Sequence, residues 1–165
     1  MALTIFGDCS ILSVLKYHNR LSEGNSVMIL KKLHHVGIVL PAQETADAFI
    51  EKYKLKVIRK GETPYSAKFI FAKAKGGSQI EFIIPSGEPL KSFNGGKGGI
   101  HHLCFKVRNI EAAENYLRSV GFELLEEKAK RANRHAKINF VRPSSSFGIL
   151  VELIQINIIP KKANK

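Results

Sequence analysis

The sequence predicts an α+β fold made of two tandem β-α-β-β-β modules. Three observations predict it. Branched apolar runs with strand spacing recur in the same order in both halves. Each half also holds one segment with helical apolar spacing. Between the halves lies Pro85–Gly98, a loop with six Gly or Pro residues.

In the first half, Ile29–Leu40 reads as a strand that Pro41 ends. Ala46, Phe49, Ile50 and Tyr53 follow helical spacing, with Glu44 and Asp47 in the first turn and Lys52 and Lys54 in the last. Leu55–Arg59, Ala67–Ala72 and Ser78–Ile84 read as three further strands. The second half repeats the order. Gly99–Val107 is a strand, and Asn109 is an expected N-cap. Ile110, Ala113, Leu117 and Val120 form a helix face, which Gly121 stops by supplying a left-handed position. Phe122–Glu126, Lys137–Val141 and Ile149–Ile154 complete the module. The expected organisation is a domain over 29–156, made of modules 29–86 and 99–156. An extension, 1–28, would precede it and a basic tail, 157–165, would follow.

At 165 residues and 44% hydrophobic composition, the chain can bury a core of its own. Cys9 and Cys104 form no C-x-x-C pair, which points to a reducing, cytoplasmic setting. Residues 1–27 lack the basic start of a secretory signal and carry Asp8. No apolar run approaches the roughly 20 residues needed to span a bilayer, so no membrane partner is expected. The net charge of +12 attracts anions. Nucleic acid is set aside because no nucleic-acid module accompanies the charge. A phosphorylated small molecule fits it, and so does a merely basic surface.

The chemistry lies in a repeated pair. His35 opens Val36-Gly37-Ile38-Val39, and Glu81 lies 46 residues on; His102 opens Leu103-Cys104-Phe105, and Glu152 lies 50 residues on. Two such half-sites meeting across a pseudo-twofold would bring two imidazoles and two carboxylates to one point. That set suits Zn, Ni, Co, Mn or Fe. The alternative is a pair of unrelated histidines and two exposed strand carboxylates. Glu152 stands among Leu150 and Ile154, where a carboxylate needs a partner to offset desolvation. Four ligands on a six-coordinate ion would leave two positions open, the mark of a catalytic site. His34 and His101 are expected on the opposite face in structural roles, Cys104 as a packed thiol, and His135 in a loop.

These stretches resemble the vicinal oxygen chelate superfamily of glyoxalase-like metalloenzymes, and within it methylmalonyl-CoA epimerase. The resemblance rests on Leu33-His34-His35-Val36-Gly37-Ile38-Val39, Ile80-Glu81-Phe82-Ile83-Ile84-Pro85, Gly98-Gly99-Ile100-His101-His102-Leu103-Cys104-Phe105-Lys106-Val107 and Gly148-Ile149-Leu150-Val151-Glu152-Leu153. It implies a curved mixed sheet around a cavity, with a divalent metal held by His35, Glu81, His102 and Glu152. It also implies proton abstraction beside the thioester of a 2-substituted acyl-CoA, with the metal stabilising the enolate. Glyoxalase I uses a similar ligand set, so a lyase, another metalloenzyme of the superfamily or a non-enzymatic binding protein are the alternatives. Some epimerases place a carboxylate on the strand two before the second ligand. Here Ala67–Phe71 offers only Lys68, which leaves Lys68 and Glu152 as the acid/base candidates. A homodimer is expected.

Overall fold

The computed structural model describes residues 29–156; the expected extension and tail lie outside the described residues. The chain runs β1 (Lys32–Val39), α1 (Gln43–Lys52), β2 (Lys56–Glu62), β3 (Ala67–Lys73), β4 (Gln79–Pro85), β5 (Gly99–Lys106), α2 (Ile110–Ser119), β6 (Lys130–Asn133), β7 (Ala136–Val141) and β8 (Val151–Ile156). One mixed sheet of eight strands has the order β2-β3-β4-β1-β5-β8-β7-β6. That order is a palindrome of the two modules. β1 and β5 meet antiparallel at the centre, and each pairs in parallel with the last strand of its own module, β4 or β8.

Strand alternation sorts the side chains into two faces. On one face Ile70, Ala72, Phe82 and Ile84 pack against Ala46, Phe49 and Ile50 of α1. Val107, Val141 and Leu153 pack likewise against Ile110, Ala113 and Leu117 of α2. Fully burying a side chain such as Phe82 or Leu153 contributes about 1.5–3 kcal/mol. The two helices thus cover one face, and the other is left to line a cavity. The helix signals hold: the Asn109 side chain accepts from Ala112 N–H at 2.9 Å, and Gly121 takes a φ of 93°.

One expected strand is not formed. Phe122–Glu126 makes an isolated bridge, Leu124 to Val141, in place of a ladder. Phe122 and Leu124 pack inward beside α2, while the Glu126 carbonyl accepts from Arg118 and Asn139 side chains. Those side-chain bonds compete with strand pairing. The edge position passes to β6, a basic stretch whose sequence carries no strand alternation.

Candidate metal centre and cavity

β1 and β5 pair so that each ligand histidine lies opposite the other module's strand two residues past its own histidine: His35 faces Cys104, and Gly37 faces His102. The neighbouring strands bring the carboxylates alongside, with Glu81 beside Gly37 and Glu152 beside Cys104. This register is what joins the two half-sites. His35 Nε2 stands 3.0 Å from His102 Nε2, 3.1 Å from Glu81 Oε2 and 3.2 Å from Glu152 Oε2. His102 Nε2 lies 3.5 Å from Glu81 Oε2 and 3.2 Å from Glu152 Oε2. All four residues are buried.

The arrangement fits a divalent ion on three counts. Donor separations of 3.0–3.5 Å are the edges expected around an ion with bonds of about 2.1 Å. Glu152 Oε2 is buried and, although both imidazoles approach it, has no hydrogen bond. One ligand atom from each of the four residues lies close to the other three. The outward nitrogens are also held, since His35 Nδ1 meets His34 Nδ1 at 2.8 Å and His102 Nδ1 meets His101 Nδ1 at 3.0 Å. Such outer partners orient an imidazole with its second nitrogen toward a metal.

The titration behaviour separates inner from outer histidines. Burial alone would lower His102, but Glu152 and Glu81 overcome it and hold the imidazole at about 9. The same opposition leaves His35 raised. Desolvation would push Glu152 and Glu81 up, yet the two neighbouring imidazoles hold both carboxyls below the usual range. His34 and His101 fall to about 4, mainly through desolvation and then through the neighbouring histidine. They are neutral at physiological pH, as a hydrogen-bonding outer partner should be.

The cluster borders a cavity of about 740 Å³. Its inner wall is apolar, with Phe71, Ile83, Ile138, Phe140, Leu150 and Ile154 around the four ligands. Two rings stand edge-on to the histidines: Phe71 lies 4.9 Å from His35 at 87°, and Phe140 lies 5.6 Å from His102 at 81°. Sequence reasoning missed both. The available signal was that Phe71 and Phe140 each occupy the strand preceding a ligand carboxylate, and in register each faces it.

Comparison with known proteins decides the family. Residues 34–155 match the Glyoxalase/Bleomycin resistance protein/Dioxygenase superfamily. The chain belongs to that superfamily. Within it, this glyoxalase-superfamily chain is 31% identical to the mitochondrial methylmalonyl-CoA epimerase of Homo sapiens, over 79% of this chain and 77% of that protein. It is 30% identical to the ethylmalonyl-CoA/methylmalonyl-CoA epimerase of Cereibacter sphaeroides, over 78% of this chain and all of that one. The crystal structure of methylmalonyl-CoA epimerase from Mycobacterium tuberculosis shares the fold, with a TM-score of 0.73 at 23% identity over 82% of this chain and 95% of that one.

The expected ligands of this superfamily member, His35, Glu81, His102 and Glu152, are therefore brought together. Lys68 is not. It is exposed on β3 and shares its face with Ile70 and Ala72, the face that α1 covers, whereas Phe69 and Phe71 point into the cavity. The strand's alternation removes Lys68 from the chemistry. His101 also departs from expectation, because it borders the cavity and stacks edge-on with Phe93 at 5.0 Å. Cys104 is the packed thiol expected, pushed up first by burial and then by Glu152. His135 lies in the turn between β6 and β7. Among the described residues, no helix is long and apolar enough to cross a membrane.

Proposed function

We propose that this protein is a divalent-metal-dependent epimerase acting on a 2-substituted acyl-CoA of the methylmalonyl-CoA type. The observation that carries the proposal is the convergence of four buried donors at the wall of a cavity large enough for an acyl thioester. The epimerase relatives support the same reading. In this reading His35, Glu81, His102 and Glu152 hold the ion. A bound ion would supply Lewis acidity toward a thioester carbonyl beside the acidic carbon.

The chain's own residues do the remaining work. Glu152 projects from β8 into the cavity and is assigned proton transfer on one side of the α-carbon. Glu88, which lines the cavity from the loop after β4, is assigned the opposite side in place of Lys68. One group removes the α-proton and the other returns a proton to the opposite side, so the reaction is balanced without a co-reactant. The apolar wall keeps bulk water from the carbanionic carbon. A homodimer and a cytoplasmic location remain within the proposal.

The test is α-proton exchange. Protein loaded with Co²⁺ and given methylmalonyl-CoA in deuterated water should place deuterium at C2, and chelation should stop it. A metal-loaded protein that exchanges no 2-substituted acyl-CoA would end this reading. Turnover of the methylglyoxal–glutathione hemithioacetal would favour the lyase that the donor set also allows.

A further inference from the structure

The cavity has an uneven charge. Carboxylates line it at Glu62, Glu81, Glu88 and Glu152, while its only permanently charged cation among the described residues is Arg59. The lysines that give the chain its positive charge do not line it. Arg59 lies on the edge strand β2, in register with Phe71. Its guanidinium carbon sits 5.1 Å from the centre of the Phe69 ring and 4.9 Å from that of Phe71. Arginine over an aromatic face is held in place while its in-plane N–H donors stay free for a planar anion. No carboxylate among the described residues forms an ion pair with it.

The platform is built for this placement. Gly61, two residues along the strand, lies opposite Phe69, and a Cβ there would stand 2.7 Å from that ring. Glycine lets the Phe69 ring fold over β2, where the guanidinium meets it. Phe71 in turn touches the His35 ring at 4.9 Å. The guanidinium is therefore within about 10 Å of the His35 ring, joined to it through one aromatic side chain.

We infer that Arg59 is a specificity residue that binds the carboxylate of the acyl group, selecting dicarboxylic acyl thioesters over uncharged ones. The inference rests on the epimerase reading and deepens it. Glu62 and Glu88, the lining carboxylates outside the cluster, repel an anionic acyl group, and a fork of donors at one wall offsets that repulsion and fixes its orientation. Arg59 touches no ligand of the cluster, so its loss should act on binding and leave the metal in place.

The test compares wild type with Arg59→Ala and Arg59→Lys on methylmalonyl-CoA and on methylmalonyl-pantetheine, which lacks the nucleotide phosphates. Arg59→Ala should raise KM about tenfold or more for both thioesters with a much smaller change in kcat, at unchanged metal content. Arg59→Lys should recover only part, because a point charge lacks the bidentate fork. Gly61→Ala should mimic a fraction of the effect by displacing Phe69. A KM effect confined to the CoA form would mean that Arg59 meets a phosphate, and unchanged KM for both would mean that it meets neither; each overturns the inference. Should wild type turn over neither thioester, the epimerase reading fails by itself. Calorimetry with free methylmalonate then decides the anion site: at least tenfold weaker binding by Arg59→Ala upholds it, and equal binding refutes it.

Discussion

The two modules build their halves of the site from the same three side chains, yet they support them differently. In the first, His35, Glu81 and Phe71 stand together; in the second, His102, Glu152 and Phe140 repeat the set with matching strand register. The contrast lies in what surrounds them. His102 faces Gly37, whereas His35 faces Cys104. Arg59 lies over Phe71, whereas Tyr65, from the turn between β2 and β3, stacks edge-on against Phe140 at 5.6 Å. The backbone duplication makes the four-donor cluster symmetric, and the cover makes the cavity asymmetric. A reaction with two inequivalent faces of one carbon needs that second property.

The largest expected break in the comparison is between the two carboxylates. Glu152 is assigned both metal binding and proton transfer, whereas Glu81 only binds. Glu152→Gln should lower turnover by about 10²–10⁴-fold, and Glu81→Gln by about tenfold or less, because an amide oxygen still reaches the ion. Steady-state kinetics on metal-matched samples checks this, and equal losses would refute the division of roles. An intermediate effect is expected at the two residues facing the histidines. A Cβ at Gly37 would stand 2.2 Å from His102 Cε1 and 2.4 Å from its Nδ1. Gly37→Ala should therefore swing the ring and weaken metal binding about 10–100-fold. Cys104→Ala should leave metal binding intact and cost about 1 kcal/mol of stability, as read by Co²⁺ titration and denaturant unfolding.

The smallest effect compares inner with outer histidines through pH. Without an ion, the raised inner imidazoles keep their protons well above the ordinary histidine range, His102 to about 9. Metal binding must expel those protons, so metal affinity should rise with pH, by about tenfold per unit for each proton expelled, and level off above about 9. His34 and His101, lowered to about 4, add nothing to that slope near neutrality. Calorimetric titration across pH 6–9 measures it, and affinity independent of pH would show that the inner histidines are already neutral.

Much of this was legible in the chain. The repeated His…Glu spacing picked out the four side chains that the fold brings to one point, His35, Glu81, His102 and Glu152, because a carboxylate among aliphatics on a strand needs a partner to offset its desolvation. The helix ends were legible too, since Asn109 and Gly121 act through their own backbone neighbours. Lys68 was misjudged because a residue type carries no information about which face of its strand turns inward, and one position decides that. Phe122–Glu126 was misjudged because its alternation is genuine, while side-chain bonds from Arg118 and Asn139 draw its backbone away from the ladder.

The sequence by itself thus determined the duplication, most of the element order and the four side chains that meet in the cluster, all of which follow from local pattern and elementary solvation. Only the tertiary structure decided that Gly37 must be small, that Phe71 and Phe140 wall the site, and that Arg59 reaches the cavity while Lys68 does not. These depend on strand register and sheet curvature, which arise from contacts between residues distant in the chain and leave no periodic trace in any one segment.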